Sequence, residues 1–161
     1  AAPRIDGRGR RDDERDSKAS FSKGGTGPLR YLLDTNTVSA LMKGEPSVAT
    51  RLAETAREDV GISQITVAEI EFGLVYLPQS KRRAQLRRQW AVIGSELTRL
   101  TWDDRVSRTF GLHKARLERA GNRISDFDLA VAAHAIAFDL VVVTADRAFE
   151  RIPVRRENWL G

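Results

Sequence analysis

Residues 31–40, YLLDTNTVSA, decide the fold that this sequence predicts. The apolar run from Tyr31 to Leu33 ends at Asp34, and apolar residues at helical spacing begin at Val38. A short apolar run bounded by turn-forming residues indicates a buried strand. Asp34 is therefore expected at the carboxyl end of a first strand, which is the edge of an open α/β sheet where ligands bind. Taken alone, Asp34 could equally cap the helix that follows it.

The same arrangement returns near the end of the chain. Residues 140–143, LVVV, form a valine-rich run typical of a central parallel strand, and Asp146 follows it closely. The helix expected before this run, at residues 125–139, is apolar on nearly all sides, which indicates a buried helix. Further strands are expected at 60–62 and within 97–102, and further helices at 46–57, at 63–74, at 79–98 and at 103–120. This alternation predicts an α/β fold with a mostly parallel sheet.

The composition limits the chemistry that the chain can use. Its 161 residues suit one domain, and the absence of cysteine together with only two histidines argues against a zinc site. Residues 1–30 hold 8 basic and 5 acidic side chains, so the net charge of +5 is concentrated there and is weak support for a nucleic-acid partner. The sequence shows neither a membrane-spanning stretch nor a secretory signal, so a cytoplasmic protein that does not contact a membrane is expected.

Residues 1–28 differ in composition from the rest of the chain. They are rich in arginine, aspartate, glycine and serine, and Ile5 and Phe21 are their only large apolar side chains. Such a segment cannot bury enough apolar surface to offset the entropy of ordering. We expect it to be a disordered tail, either an expression remnant or an extension upstream of the natural start, with a basic arm that contacts RNA as the less favoured alternative and the folded domain at residues 29–161.

Four acidic side chains from separate segments are expected at one edge of the sheet: Asp34, Glu69, Asp128 and Asp146. In a right-handed doubly wound sheet their positions, at strand ends and in the first turns of helices, can converge. Each also has a structural alternative. Asp34 and Asp146 could cap helices, and Asp128 fits a capping box with Ser125. Glu69 could be an exposed glutamate paired with a base, but it lies too far inside its helix to cap it.

A cluster of carboxylates indicates a divalent cation. Carboxylates that lie close together in a partly dry cleft repel one another and are driven towards protonation. A divalent ion removes this repulsion, and a set of oxygen ligands favours Mg²⁺ or Mn²⁺ over zinc. One or two such ions can activate water, hold a phosphate and stabilise a leaving oxygen, which suits phosphodiester hydrolysis.

Four segments, in this order and at this spacing, resemble the PIN-domain ribonucleases, and among them the VapC toxins of bacterial toxin–antitoxin pairs. The segments are YLLDTNTVSAL, ITVAEIEFGL, ISDFDLAVAAHAI and VVVTADRAFERI. The resemblance covers residues 30–160 and implies a three-layer α/β/α sandwich with four or five strands. It also places Leu29 at the position of the family's first residue, which agrees with treating residues 1–28 as extraneous.

The resemblance assigns roles to single residues. It implies four catalytic and metal-binding carboxylates, namely Asp34, Glu69, Asp128 and Asp146. It further implies that Asn36 and Thr144 assist in binding the cofactor, whereas Asp126 departs from the commonest pattern and is left outside the set. A member of this family would be a Mg²⁺- or Mn²⁺-dependent endoribonuclease that uses metal-activated water and leaves a 5′-phosphate and a 3′-hydroxyl. It would usually form a homodimer and be neutralised by a cognate VapB-type antitoxin whose C-terminal segment occupies the groove.

Other functions fit the residues less well. A haloacid-dehalogenase-type phosphatase needs a second aspartate two residues after the first, where this chain has Asn36, and a receiver domain needs a lysine that residues 144–147 do not supply. A catalytically silent PIN-like RNA-binding or assembly module is the alternative from a different class. His113 lies on an apolar helical stripe and is expected to be a packed core histidine. The basic side chains at 81–88 are expected on a solvated face, with phosphate contact as the alternative.

Overall fold

A computed structural model describes residues 29–161, so the expectation for residues 1–28 lies outside the described residues. The described part contains five strands and six α-helices. The strands are β1 (Tyr31–Leu33), β2 (Val60–Ser63), β3 (Thr98–Leu100), β4 (Val141–Val143) and β5 (Arg156–Glu157). The helices are α1 (Thr35–Met42), α2 (Pro46–Glu54), α3 (Gln64–Tyr76), α4 (Lys81–Glu96), α5 (Asp104–Arg119) and α6 (Asp126–Ala137). Two short 3-10 helices lie at Arg57–Asp59 and Arg147–Arg151.

The five strands form one sheet in the order β3-β2-β1-β4-β5, and each of its four pairings is parallel. The predicted α/β fold is therefore confirmed. The chain builds outwards from β1 through β2 and β3, and then returns to the other side of β1 with β4 and β5. The order reverses between β1 and β4, and such a reversal opens a crevice at the carboxyl ends of the two strands.

Alternating side chains of the strands divide the core into two halves. Tyr31 and Leu33 face a cluster completed by side chains of α1 to α4, such as Val38 and Trp90. Leu32, between them in sequence, faces the opposite cluster, which is formed with α5 and α6. Burying one such large apolar side chain stabilises the fold by roughly 1.5–3 kcal/mol. Helices thus cover both faces of the sheet, and the expected three-layer sandwich is confirmed.

Several boundaries differ from the sequence expectation. Helix α2 ends at Glu54 instead of residue 57, and α4 begins after Ser80, whose hydroxyl accepts the Arg83 amide proton at 3.1 Å. The expectation that α6 is buried on all sides is wrong for its first turn, where Phe127 is 54% exposed. The prediction for His113 is confirmed, because its side chain is buried in α5.

The centre of β2 has no room for a side chain at Gly61. A Cβ atom there would lie 2.8 Å from the Thr98 carbonyl oxygen of β3 and 2.9 Å from Leu29 Cδ2. Since the carbonyl belongs to a paired strand, we expect Gly61→Ala to lower the free energy of unfolding by about 1–3 kcal/mol. Urea denaturation would measure this. Gly73→Ala in α3 is the matched control, because a Cβ atom added there would have nothing within 4 Å, and it should be neutral or stabilising.

Equal stability of the two glycine variants would contradict this account of β2.

Within residues 29–161, none of the helices combines the length and the hydropathy needed to cross a bilayer.

Candidate active site

Asp34 lies at the carboxyl end of β1, beside β4. Its side chain caps α1 by accepting the Thr37 amide proton at 2.7 Å, and the Thr37 hydroxyl donates to the Val143 carbonyl oxygen at 2.9 Å. Asp34 as a whole is only 4% exposed. Burial raises its pKa, hydrogen bonds from Thr144 and Thr37 oppose this shift, and the nearby charge of Asp128 adds to it. The first strand thus ends in a carboxylate that is costly to ionise.

Thr144 and Asp146 follow β4 at the same edge. The Thr144 side chain is buried, hydrogen-bonds Asp34 and accepts the Asp146 amide proton at 2.9 Å. The Asp146 carboxylate accepts the Ala148 amide proton at 2.8 Å and so caps the 3-10 helix Arg147–Arg151. Thr144 therefore joins the ends of β1 and β4, and it supports both aspartates.

Glu69 reaches the site from the second turn of α3. Its carboxylate accepts a hydrogen bond from the Thr35 hydroxyl, which lies in the first turn of α1. Burial raises the pKa of Glu69, the bond from Thr35 opposes this, and the charges of Asp128 and Asp34 raise it further. Since Ser63 caps α3 by accepting the Ile65 amide proton at 3.0 Å, the end of β2 fixes where this helix begins.

Asp128 lies in the first turn of α6. The Ser125 hydroxyl accepts the Asp128 amide proton at 3.1 Å and donates to Asp128 Oδ2 at 2.7 Å, which confirms the predicted capping arrangement. Burial raises the pKa of Asp128, the bond from Ser125 opposes the shift, and the charge of Asp146 adds to it. The first turn of α6 therefore holds the Asp128 carboxylate towards the carboxyl ends of β1 and β4.

The electrostatic interactions link the four predicted carboxylates to one another. Asp128 acts on both Asp34 and Glu69, Asp34 acts on Glu69, and Asp146 acts on Asp128. This agrees with the predicted approach of these side chains to one sheet edge, while their role as metal ligands stays a prediction. The cap interpretation is also correct for Asp34 and Asp146, so capping a helix and interacting with the other carboxylates are compatible at these two positions. At Asp128 the cap itself is Ser125, whose hydroxyl bonds to the Asp128 side chain.

The donor set fits a hard divalent cation in kind, since it consists of carboxylate and hydroxyl oxygens. It also fits in charge, because neighbouring carboxylates add to the raised pKa values of Asp34, Glu69 and Asp128, and a cation would relieve that repulsion. In residues 29–161, however, no three histidine, aspartate or glutamate side chains form a group that could hold a metal ion as they stand. Glu69 accepts a hydrogen bond from Thr35, and Asp128 accepts one from Ser125.

Asn36 and Asp126 are two further polar residues near the predicted set. Asn36 is exposed in the first turn of α1, so its part in binding a cofactor stays a prediction. Asp126 forms an ion pair with Lys114 of α5 at 2.5 Å and is 68% exposed, which agrees with leaving it outside the set.

Two hydroxyl side chains that no motif singled out also belong to the site. Thr35 holds Glu69, and Thr37 ties the start of α1 to β4. Their polar character within residues 34–37, DTNT, directly after a buried strand, was the only signal in the sequence.

Comparison with known proteins agrees with this geometry. Residues 31–155 match the model of the PIN domain. Ribonuclease VapC2 of Haemophilus influenzae is 36% identical over 138 residues, which cover 82% of this chain and 99% of the relative. The tRNA(fMet)-specific endonuclease VapC of Salmonella typhimurium is 32% identical over 136 residues, which cover 81% of this chain and 98% of the relative.

Solved structures give the same result. The crystal structure of VapBC2 from Rickettsia felis, bound to a DNA fragment from its promoter, aligns with a TM-score of 0.73 at 29% identity and covers 81% of this chain and 99% of that one. FitAcB from Neisseria gonorrhoeae aligns with a TM-score of 0.72 at 29% identity, covering 80% and 97%. With its fold, its acidic sheet edge and these relatives in agreement, the chain belongs to the PIN domain family and, within it, to the VapC ribonucleases.

Proposed function

We propose that this protein is an endoribonuclease toxin of the VapC type that hydrolyses RNA phosphodiester bonds with the help of Mg²⁺ or Mn²⁺. The observation that carries the proposal is the electrostatically linked set Asp34, Glu69, Asp128 and Asp146 at the β1–β4 edge of a PIN fold. Relatives of similar length carry the names ribonuclease and endonuclease. An RNA substrate would place the protein in the cytoplasm.

Each group at the site has a distinct part in this proposal. The four carboxylates would hold the cation, and the hydroxyls of Thr144, Thr35 and Ser125 orient three of them. A bound divalent ion supplies positive charge that activates a water molecule and neutralises the phosphate. Asp34 is fixed by its cap bond to Thr37, so its position is set before RNA arrives. The chain has no cysteine to act as a nucleophile, and water takes that part.

The proposal includes protein partners. Relatives have been solved as VapBC complexes, and we propose a cognate VapB-type antitoxin and a homodimer for this chain as well. An exposed apolar patch supports contact with protein: Phe72, Val75 and Tyr76 of α3 are 68%, 63% and 80% exposed, and the rings of Phe72 and Tyr76 stack. A cluster of this kind is unusual on a surface that only contacts water. The negative charge of the acidic edge gives a physical reason for a cationic antitoxin side chain to block it.

A cleavage assay tests the nuclease. The purified protein is incubated with structured RNA in Mg²⁺, in Mn²⁺ and in excess chelator, and the product ends are analysed. We expect metal-dependent cleavage that leaves a 5′-phosphate and a 3′-hydroxyl, and suppression by an equimolar cognate antitoxin. Binding of RNA without cleavage in both metals would favour the catalytically silent module, and hydrolysis of a phosphomonoester instead of RNA would favour a phosphatase.

A further inference from the structure

His134 is a wholly buried polar side chain of α6 with two hydrogen-bond partners in other elements. Its Nδ1 lies 2.8 Å from the Ser63 hydroxyl at the end of β2, and its Nε2 lies 3.1 Å from the Thr101 carbonyl oxygen after β3. None of the nuclease chemistry described above uses this histidine. A buried ring that satisfies both nitrogens across three elements is fixed in position and orientation.

The two partners decide which ring nitrogen carries the proton. The Thr101 carbonyl can only accept, so Nε2 must be the protonated nitrogen that donates to it. In the neutral ring Nδ1 is then an acceptor, and the Ser63 hydroxyl donates to it. The Ser63 oxygen in turn accepts the Ile65 amide proton in the first turn of α3. One directed chain of hydrogen bonds therefore runs from α3 through Ser63 to α6 and on to the end of β3.

This series of hydrogen bonds connects α3 and α6, the two helices that carry Glu69 and Asp128. Ser63 caps α3, which carries Glu69, and His134 belongs to α6, which carries Asp128. We propose that His134 is a positioning residue for the nuclease reaction, which sets the placement of Glu69 relative to Asp128 through its bond to Ser63. The inference rests on the proposed function. It does not place His134 in contact with substrate or cation.

The surroundings of the ring agree with a fixed neutral histidine. Trp102 meets it edge-on at 5.5 Å between ring centroids, and Phe138 stacks on it at 6.3 Å. Burial lowers the pKa of His134, against the opposing effects of the Thr101 carbonyl and Asp103. Arg105 lies over the Phe138 ring, 4.7 Å from its centroid. The neutral form keeps Nδ1 available as an acceptor for Ser63.

Kinetics with matched variants test the proposal. His134→Leu removes both bonds, whereas His134→Gln retains one donor and one acceptor. We expect His134→Leu to lower kcat for RNA cleavage by about 10- to 100-fold with little change in KM, and His134→Gln to recover most of the loss. His113→Leu is the control, since His113 is another buried histidine on the neighbouring helix and is not part of this chain of bonds. Equal losses in His134→Leu and His134→Gln, or an equal loss in His113→Leu, would overturn the proposal.

A second measurement does not depend on RNA cleavage. Nitrogen NMR of the imidazole should show a protonated Nε2 and an unprotonated Nδ1 in His134, and Ser63→Ala should shift Nδ1 far more than Nε2. The opposite tautomer, or a ring protonated on both nitrogens at neutral pH, would overturn the inference even if the protein cleaves RNA. The protein could instead show the expected tautomer but cleave no RNA in any metal. That result would confirm the hydrogen-bond network, but it would overturn both the proposed nuclease activity and the positioning role of His134.

If the leucine variant does not fold, Ser63→Ala and Ser63→Ala combined with His134→Gln still test the inference. Both changes alter the bond between Ser63 and His134, so the loss of kcat in the combined variant should be smaller than the product of the two single losses. Losses that multiply would show two independent effects and contradict the proposal.

Discussion

Replacing Asp34 with asparagine is expected to abolish metal-dependent RNA cleavage, with a loss of at least about 10³-fold in kcat, while the protein stays folded. Asparagine has nearly the shape of aspartate and is also a good helix cap, so the bond from the Thr37 amide to the side chain can persist. What disappears is one negative charge in a site where burial already raises the pKa of the carboxyl group. The free energy of unfolding without metal should therefore be unchanged or higher, as measured by urea denaturation beside the cleavage assay.

The control for this variant is Asp126→Asn. Asp126 is in the same sequence neighbourhood as Asp128 but is exposed and paired with Lys114. Removing its charge should leave cleavage within about threefold of the unmodified protein, since screened surface pairs contribute little. Loss of activity in both variants would indicate a general charge effect, and retention of activity in Asp34→Asn would remove Asp34 from the catalytic set.

Adding Mg²⁺ or Mn²⁺ is expected to stabilise the protein, and the effect should grow as the pH rises. An ion at 100 times its dissociation constant contributes about 2.7 kcal/mol to the free energy of unfolding if it binds only the folded state. Without metal, the contribution of the site to the free energy of unfolding is expected to fall as the pH rises. Asp34, Glu69 and Asp128 have pKa values raised above 3.8, 4.5 and 3.8, so the folded state binds more protons than the unfolded state above those values. Their contribution to stability is present below the ordinary pKa values and is lost as the pH rises through the raised ones.

Urea denaturation across this pH range, with chelator and with each metal, measures both trends. Asp34→Asn should reduce the loss of stability with rising pH and weaken the stabilisation by metal, and the difference between the two proteins isolates the site from surface charges. Equal stabilisation of both proteins by metal would mean that the ion binds elsewhere. If the difference in free energy of unfolding between the unmodified protein and Asp34→Asn does not change with pH in the absence of metal, the raised pKa of Asp34 is contradicted.

The strands and helices that position the site could be predicted from local patterns, for a physical reason. Buried parallel strands are continuous apolar runs, and Asp34 and Asp146 could be located because each comes soon after such a run. Strand β5 was missed because its two residues, Arg156 and Glu157, are both polar. It lies at the edge of the sheet and pairs with β4 alone, so it has no apolar run of the kind that indicates a buried strand. The expected number of strands, four or five, was nevertheless compatible with it.

The hydrogen-bond partners at the site could not be predicted in the same way. Thr35 and Glu69 are 34 residues apart and Ser63 and His134 are 71 residues apart, so no local pattern records that they meet. The cap of α6, in contrast, joins residues three apart, and its formation by Ser125 was predicted correctly, with a bond from the Ser125 hydroxyl to the Asp128 side chain beside it. The catalytic roles of the four carboxylates stay predictions until the variants are measured.

The parallel pairing of β1 with β4 has a consequence for biosynthesis. Thr37 near the beginning of the domain bonds to Val143 near its end, 106 residues later, and Asp34 gains its support from Thr144 at the same junction. Contacts this far apart form late, because the intervening chain must be closed into a loop first. A nascent chain on the ribosome therefore lacks a complete acidic edge until residues 141–146 have emerged.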